Sequence, residues 1–574
     1  MVASTVRDRR EGIREGYASL FNAKRPIIAS NRGPFEHRLA PDGSLEASRG
    51  CGGLITALAA MTRVTPVTWV ACAMTEADRQ AAQIYQASSL SPSDGEHWAG
   101  WAERDGAQAL GLRSELALSV AKGLARRSNG HTMQAGEVGE DDLRLRLVVP
   151  APEQFHLYYS IFCNPVLWFL QHSLWDELDR PNLWQEVPDA WRGGYLPVNQ
   201  AFARAILAEL ARPDTAPLVM LHDYHLYAAS AYIRARAPEA VLTQFVHIPW
   251  PGPEVWQNLP VPIVASICRG LLANDIVGFQ NVSSAHNFLL TCFGFFHAAE
   301  VAEVDFEDWA IRHEGRLTRV RCYPISVDVE GLRQLMVSPE VQGYRERLGP
   351  LVRRHTIVRV DRLDPSKNIL AGFQAFELLL EEHPELLGQV KFLAFLVPSR
   401  TDIPEYQRYA QSVLSLIEEI NRRYGTGEWC PVEVFYENNY AQALAGMSLA
   451  DVLLVNPLAD GMNLVAKEGP MVNERDGVLA LSRAAGAFHE LGDHAVPINP
   501  TSVAGTARAL AEALFMPVGE RRSRAANLRR AIEAGDLSHW LSRQLEDIAS
   551  LGMDGRRWTR PAEGHYLRAS AGVR

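Results

Sequence analysis

The sequence predicts an α/β protein made of two Rossmann-like, doubly wound domains that face each other across a cleft. Three observations predict it. Short β-rich runs such as "KFLAFLV" (391–397) and "DVLLVN" (451–456) are continuously apolar, as in strands buried on both faces of a parallel sheet. Amphipathic stretches lie between the runs, which gives a βαβα order. The runs fall in two sets, before about residue 330 and after about 355, separated by "ISVDVEGLRQLMVSPEVQGYRERLG" (325–349).

Along the chain, residues 1–24 form a polar, partly helical arm. The first domain covers 25–330, with strands expected at 25–30, 67–73, 217–223, 241–247 and 275–279. It carries a long insertion over about 80–142. There Leu112, Leu116, Val120 and Leu124 recur at i+4 before Arg126 and Arg127. A helix packed on its own domain explains that spacing; a regulatory or subunit contact is the second reading. A hinge is expected near 325–335. The second domain covers 331–540, with strands at 355–360, 391–397, 432–436, 451–456 and 477–482. A helix over 369–382 presents Ile369, Leu370, Phe373, Phe376 and Leu380 near the 3.6-residue period. Residues 541–574 are a tail.

Composition narrows the class of function. The chain has 574 residues, 47% hydrophobic and 22% charged, with a net charge of -10. No bulk basic field favours nucleic acid or anionic lipid. Seven cysteines are scattered with no Cys-x-x-Cys, which suits reduced thiols rather than disulfides or a zinc site. The start "MVASTVRDRREGIREGY" has no apolar signal core, and no apolar run is long enough to span a membrane. A cytoplasmic protein is expected. A homo-oligomer is a partner that the sequence allows.

Ligands of doubly wound sheets bind beyond the carboxyl ends of the strands, so motifs directly after strands carry the most weight. "SNRGP" (30–34) ends the first strand with Arg32, and "RGCGGLITAL" (49–58) starts a helix at Gly53 where backbone N–H groups suit an anion. "HDYH" (222–225) puts Asp223 at a strand end, as a hydroxyl acceptor or a helix N-cap. "VHIPWP" (246–251) does the same for His247, a ligand contact or a core histidine. In "YYSIFCNPVLWFLQH" (158–172) Tyr159 and Trp168 either offer polar tips to a ligand or fill the core. "VDRLDPSKN" (360–368) sets Arg362 and Lys367 in one strand-following turn, which suggests an anion whose charge grows in a transition state. "PSRTD" (398–402) adds Arg400, a bidentate phosphate fork or a solvated loop arginine. "NPLADGMNLVAKEG" (456–469) combines a turn, Asp460-Gly461-Met462-Asn463, with a helix start at Leu464 and Val465, and carries Glu468 two helical turns on.

Together these segments resemble the trehalose-6-phosphate synthase family, retaining glycosyltransferases with the two-domain GT-B fold. "SNR", "GGL", "YY…NPVLW", "GGYLPVN", "HDYHL", "HIPWPGPE", "GFQ", "YPISVD", "RLDPSKN", "PSR" and "DGMNLVAKE" occur in family order across 25–330 and 355–500. The resemblance implies transfer of glucose from an NDP-glucose, UDP-glucose first, to glucose 6-phosphate. It implies Arg362 and Lys367 on the donor diphosphate, with backbone at Gly53, Leu464 and Val465. It implies Glu468 on the ribose, and Asp460, Gly461, Met462, Asn463 and His247 around the glucose. Arg32, Tyr159, Trp168 and Arg400 would hold the acceptor's phosphate and Asp223 its hydroxyls. No cofactor and no bound metal are implied. The same chemistry on glycerol 3-phosphate or a phosphorylated cyclitol is the first alternative; a non-catalytic sugar-phosphate-binding subunit is the second. Trp250 stands where the family usually has Phe, and "GPFEH" (33–37) is unusual.

Overall fold

A computed structural model describes residues 21, 24–40, 44–49, 53–59, 61–88, 143–175, 183–296 and 303–553. The i+4 run of the insertion (112–127), Gly50, Gly52, most of the arm and the last part of the tail lie outside them.

The first sheet and its satellite hairpin use β1 (Arg25–Ala29), β2 (Phe35–Leu39), β3 (Leu45–Arg49), β4 (Val67–Cys72), β5 (Leu143–Val148), β6 (Thr215–His222), β7 (Val241–Val246), β8 (Ile276–Phe279), β9 (Glu303–Asp305), β10 (Ala310–His313) and β11 (Arg316–Cys322). Nine of these form one sheet in the order β5-β4-β1-β6-β7-β8-β11-β10-β9, and β2 pairs only with β3. The second sheet is β12 (His355–Arg362), β13 (Val390–Val397), β14 (Val432–Phe435), β15 (Val452–Val455), β16 (Val478–Ser482) and β17 (Val496–Ile498), in the order β14-β13-β12-β15-β16-β17. All five of its pairings are parallel.

The ten apolar runs are all strands, and the predicted helix is Ile369–Glu382. Its phenylalanines are the reason it packs: Phe373 and Phe376 meet Phe392 of β13 with ring centroids 5.1 and 5.2 Å apart. Fully burying each ring is worth about 1.5–3 kcal/mol. The strands that continuity did not reveal are polar or alternating. β5, "LRLRLV", is an edge strand whose Arg144 reaches Asp214 at 2.6 Å. β10 is antiparallel to both β9 and β11.

Topology then places the functional turns. Chain order runs outward from β1 through β4 to β5, and outward again from β6 through β7 to β8, so β1 and β6 flank the switch point of the first sheet. In the second sheet β12 and β15 flank it. A crevice opens at the carboxyl ends of such strand pairs. Arg32 and Asp223 follow β1 and β6; Arg362 ends β12, Lys367 follows it, and Asp460 follows β15.

The chain crosses between the sheets at 323–328 and returns late. The helix Leu537–Met553 lies against the first sheet, with Trp540 edge-on to Phe245 (5.6 Å) and Asp547 accepting from the Tyr323 hydroxyl (2.6 Å). Among the described residues no helix is long and apolar enough to cross a membrane.

Candidate active site

The turn after β12 is built from inside. Arg359, fully buried in β12, points its guanidinium at Asp361 (2.8 Å) and at the carbonyls of Lys367 and Ile369 (both 3.3 Å). It thereby holds the loop that presents Lys367. The turn Pro365–Lys367 ends at Asn368, which takes the left-handed region (φ 56°), a conformation Asn tolerates better than most residues. Ser366 accepts a backbone hydrogen bond from Leu458 (2.9 Å), so the two switch-point loops are fastened together.

Across that junction the Lys367 ammonium pairs with the Asp460 carboxylate. Burial pushes the Asp460 carboxyl up, but Lys367 outweighs it and holds the acid below its usual range. Asn463 (φ 71°) also donates to Asp460 (3.0 Å), and its own side-chain oxygen accepts from the Ala466 amide at the start of the helix Val465–Val472. Met462 is buried; Leu464 and Val465 are half-buried at the helix start, where first-turn N–H groups have no partner within the helix. Glu468 accepts from the Tyr440 hydroxyl (2.8 Å), and burial raises its acid above the ordinary range.

At Gly461 the backbones of the two halves lie against each other. A Cβ there would overlap the backbone carbonyl of His247, so only glycine lets the loop lie against the end of β7. His247 Nε2 faces His222 Nδ1 at 3.2 Å, and burial, then His222, keeps His247 neutral. It is thus partnered by a side chain rather than by backbone.

Asp223 sits at the N-cap position of a short helical turn, yet its side chain makes no cap bond. Its backbone is at φ 71°, and Oδ1 is buried with no hydrogen-bond partner. Burial pushes its acid up to about 7, against the pull of the Tyr224 and His247 peptides and of Arg362 and Arg400. The folded chain therefore holds a proton that the unfolded chain has released between about pH 4 and 7, and this contribution to stability is lost as pH rises through that window. Asp223→Asn is expected to raise Tm at about pH 8 by a few degrees and to change it little at about pH 4, read by calorimetry at both values.

Arg400 and Trp168 form the other side. Arg400 takes φ 47° just after β13 and is 7% exposed in its side chain. It donates to Asp364 (2.6 Å) and the Tyr406 hydroxyl (2.8 Å), and lies 4.1 Å from the centre of the Trp168 ring. Arg362 is exposed and 5.4 Å from the same ring. Of the two readings the sequence leaves open, Trp168 is buried like a core residue and holds out no free polar tip, because its ring N–H is donated to Asp364 (3.2 Å); what it offers the site is a ring near both guanidiniums. Tyr159 stacks on Phe155 and His225, and burial, then the charges of Arg400 and Arg32, keeps His225 neutral. Arg32 is exposed, 3.6 Å from Glu36. Gly53 opens the helix Gly53–Ala59.

Asp364, Tyr406, Tyr440, His222 and Arg359 were not singled out by sequence. Asp364 lies inside "VDRLDPSKN" and His222 inside "HDYH", each beside residues with a stronger local signal; the rest need the fold. Trp250 is core: it packs on Trp256 (4.4 Å) and Phe288 (5.1 Å) and donates to Thr291 (3.1 Å). Among the described residues no group of three or more His, Cys, Asp or Glu is gathered as a metal ion would require.

Comparison with known proteins decides the family. The model described as Glycosyltransferase family 20 matches residues 24–550. The chain belongs to glycosyltransferase family 20. Within it, the chain is 36% identical over 412 residues to the bifunctional trehalose-6-phosphate synthase/phosphatase of Thermoproteus tenax, covering 70% of this chain and 54% of that protein. The chain thus spans about half the length of that relative. A solved structure described as "Trehalose-6-phosphate from E. coli bound with UDP-2-fluoro glucose" superposes with a TM-score of 0.69 at 26% identity, over 91% of this chain and 98% of that one. The UDP-forming α,α-trehalose-phosphate synthase from Burkholderia xenovorans in complex with glucose-6-phosphate gives 0.69 at 26% identity, over 92% and 100%. The architecture is the GT-B fold of this glycosyltransferase family.

Proposed function

We propose that this family 20 glycosyltransferase moves glucose from an NDP-glucose, UDP-glucose first, to glucose 6-phosphate, releasing the nucleoside diphosphate and forming trehalose 6-phosphate. The observation that carries the reading is the gathering of cations at the second sheet's switch point, Lys367 bound to Asp460, with Arg362 and Arg400 beside Trp168 of the first domain. Solved relatives bound to UDP-2-fluoro glucose and to glucose-6-phosphate support the two ligand classes.

On this reading the donor diphosphate lies on Arg362, Lys367 and the backbone N–H groups at Gly53, Leu464 and Val465. Glu468 takes the ribose. The 460–463 loop and His247 hold the glucose. Arg32, Tyr159, Trp168 and Arg400 bind the acceptor's phosphate, and Asp223 its hydroxyls. The bond from glucose C1 to the diphosphate oxygen breaks, and a bond from C1 to the acceptor's anomeric oxygen forms on the same face. The acceptor's proton passes to the departing phosphate oxygen. No carboxylate attacks C1, so configuration is retained. The cations stabilise charge that grows on the leaving group. Packing of the two halves around the site excludes water, which protects the donor from hydrolysis.

Asp223 gives this reading a pH dependence. A carboxylate accepts a hydroxyl hydrogen bond that a neutral acid accepts less well, so kcat/KM for the acceptor is expected to rise through about pH 7. In Asp223→Asn it should fall about 10–100-fold and lose that rise. A variant that keeps the wild-type profile contradicts the role.

The test is a panel of NDP-glucose donors against glucose 6-phosphate, glycerol 3-phosphate and a phosphorylated cyclitol, with products weighed by mass spectrometry. Transfer to glucose 6-phosphate supports the proposal. Transfer only to another acceptor assigns that acceptor instead, and no nucleotide release with any pair rejects catalysis.

A further inference from the structure

Asp364 lies between Arg362 and Lys367 in the turn after β12, and the sequence alone assigns it no role. Its carboxylate is fully buried. Oδ1 accepts from the Ser366 amide (3.0 Å), the Ser366 hydroxyl (2.8 Å) and the Trp168 ring N–H (3.2 Å). Oδ2 accepts from Arg400 Nη1 (2.6 Å). Burial pushes the acid up, but Arg400, then Arg362, hold it well below the ordinary carboxylate range, so it stays an anion. Four donors from three separate segments meet on one buried group.

What this does to Arg400 follows from guanidinium geometry. The group has five N–H donors in a fixed plane. Asp364 and the Tyr406 hydroxyl take Nη1. Trp168 lies over the guanidinium at 4.1 Å, and the Tyr406 ring centre is 5.0 Å away. Nη2 reaches only the Tyr224 hydroxyl at 3.4 Å, a long contact that a better acceptor replaces. The edge formed by Nε and Nη2 is the one left for bidentate contact, the arrangement that suits a phosphate. The left-handed backbone at Arg400 (φ 47°) sets the side chain inward at a cost that these partners must offset.

We propose that Asp364 is a positioning residue that grips Arg400 by Nη1, so that its Nε–Nη2 edge meets the acceptor's phosphate. Through Ser366, whose hydroxyl and amide bind the same carboxylate, it also ties that clamp to the turn carrying Arg362 and Lys367. The inference rests on the reading of Arg400 as an acceptor-phosphate contact. It goes further by making recognition of the phosphate depend on a carboxylate that never touches substrate, and by linking the acceptor clamp to the donor cations.

Asp364→Asn tests it. The amide oxygen can still accept from Ser366 and Trp168, but an amide nitrogen facing Arg400 cannot accept. The measured quantity is the ratio of kcat/KM for glucose 6-phosphate to kcat/KM for glucose, both with UDP-glucose. The ratio is expected to fall about 10–100-fold, chiefly through KM for glucose 6-phosphate, with UDP affinity within about threefold of wild type. An unchanged ratio overturns the proposal, because damage that is merely structural lowers both acceptors alike. If that variant fails to fold, Ser366→Ala serves: it removes one of the four donors, and the ratio should fall about two- to fivefold. A wild-type ratio in folded Ser366→Ala overturns the proposal in that case. Wild-type enzyme that fails to use glucose 6-phosphate at all defeats the underlying reading rather than this inference.

Discussion

Arg362→Ala is expected to slow glucosyl transfer by about a hundred- to a thousand-fold while leaving the fold intact. The size follows from the role of the side chain, since removing one preorganised donor from a developing anion costs about 3–4 kcal/mol of transition-state stabilisation. The intact fold follows from the structure. Arg362 is exposed at the end of β12, and its contact with Trp168, 5.4 Å from ring centre, is worth about 0.5–1 kcal/mol. Steady-state kcat with saturating substrates, beside a Tm by calorimetry, reads both halves. Near-normal kcat would remove Arg362 from the leaving-group site. Lys367→Ala is the less clean experiment. Lys367 neutralises Asp460, and stripping a partner from a largely buried carboxylate costs about 3–5 kcal/mol of stability in addition to any catalytic loss.

Gly461→Ala is expected to abolish measurable transfer and to lower Tm clearly. A methyl at 461 meets backbone, the His247 carbonyl, and not the movable end of a side chain. The opposite side of the loop is no more forgiving, since a Cβ at Gly486 would overlap the Gly461 carbonyl. The loop must therefore retreat from β7. That carries Asp460 and Asn463 away from Lys367 and breaks the backbone bonds from Gly486 to Asp460 (3.0 Å) and from Ala487 to Met462 (2.8 Å). Overpacking of this kind costs about 3 kcal/mol or more when backbone must move. Activity and thermal unfolding of the variant check it; wild-type values in both would mean that the loop does not need its contact with His247.

The contrast between these two residues shows what could be read from sequence. Arg362 was legible because its signal is local: two cations in a turn after a continuous apolar strand. Gly461 was legible as part of a turn, but the reason it must be glycine is a carbonyl 214 positions earlier in the chain, which only the packing of two sheets supplies. Buried strands announced themselves by unbroken apolar runs. β5 did not, because an edge strand with one wet face alternates, and its arginines read as surface. Trp168 was legible as either ligand contact or core; it is both buried and central, since its N–H closes a bond to Asp364 across the two halves. Asp364 itself was hidden by its neighbours. A carboxylate between two presumed phosphate-binding cations looks like mere charge balance until its four donors are counted. The pairing of the switch points, β1 with β6 and β12 with β15, is what turned scattered motifs into one site.

The most direct test of the account is the product itself. Purified protein is incubated with UDP-glucose and glucose 6-phosphate, and the product is examined by NMR for its linkage and anomeric configuration. The account predicts release of UDP in step with a phosphorylated disaccharide joined α,α between the two anomeric carbons. A β-configured glucosyl unit, or UDP released only with free glucose, would contradict it.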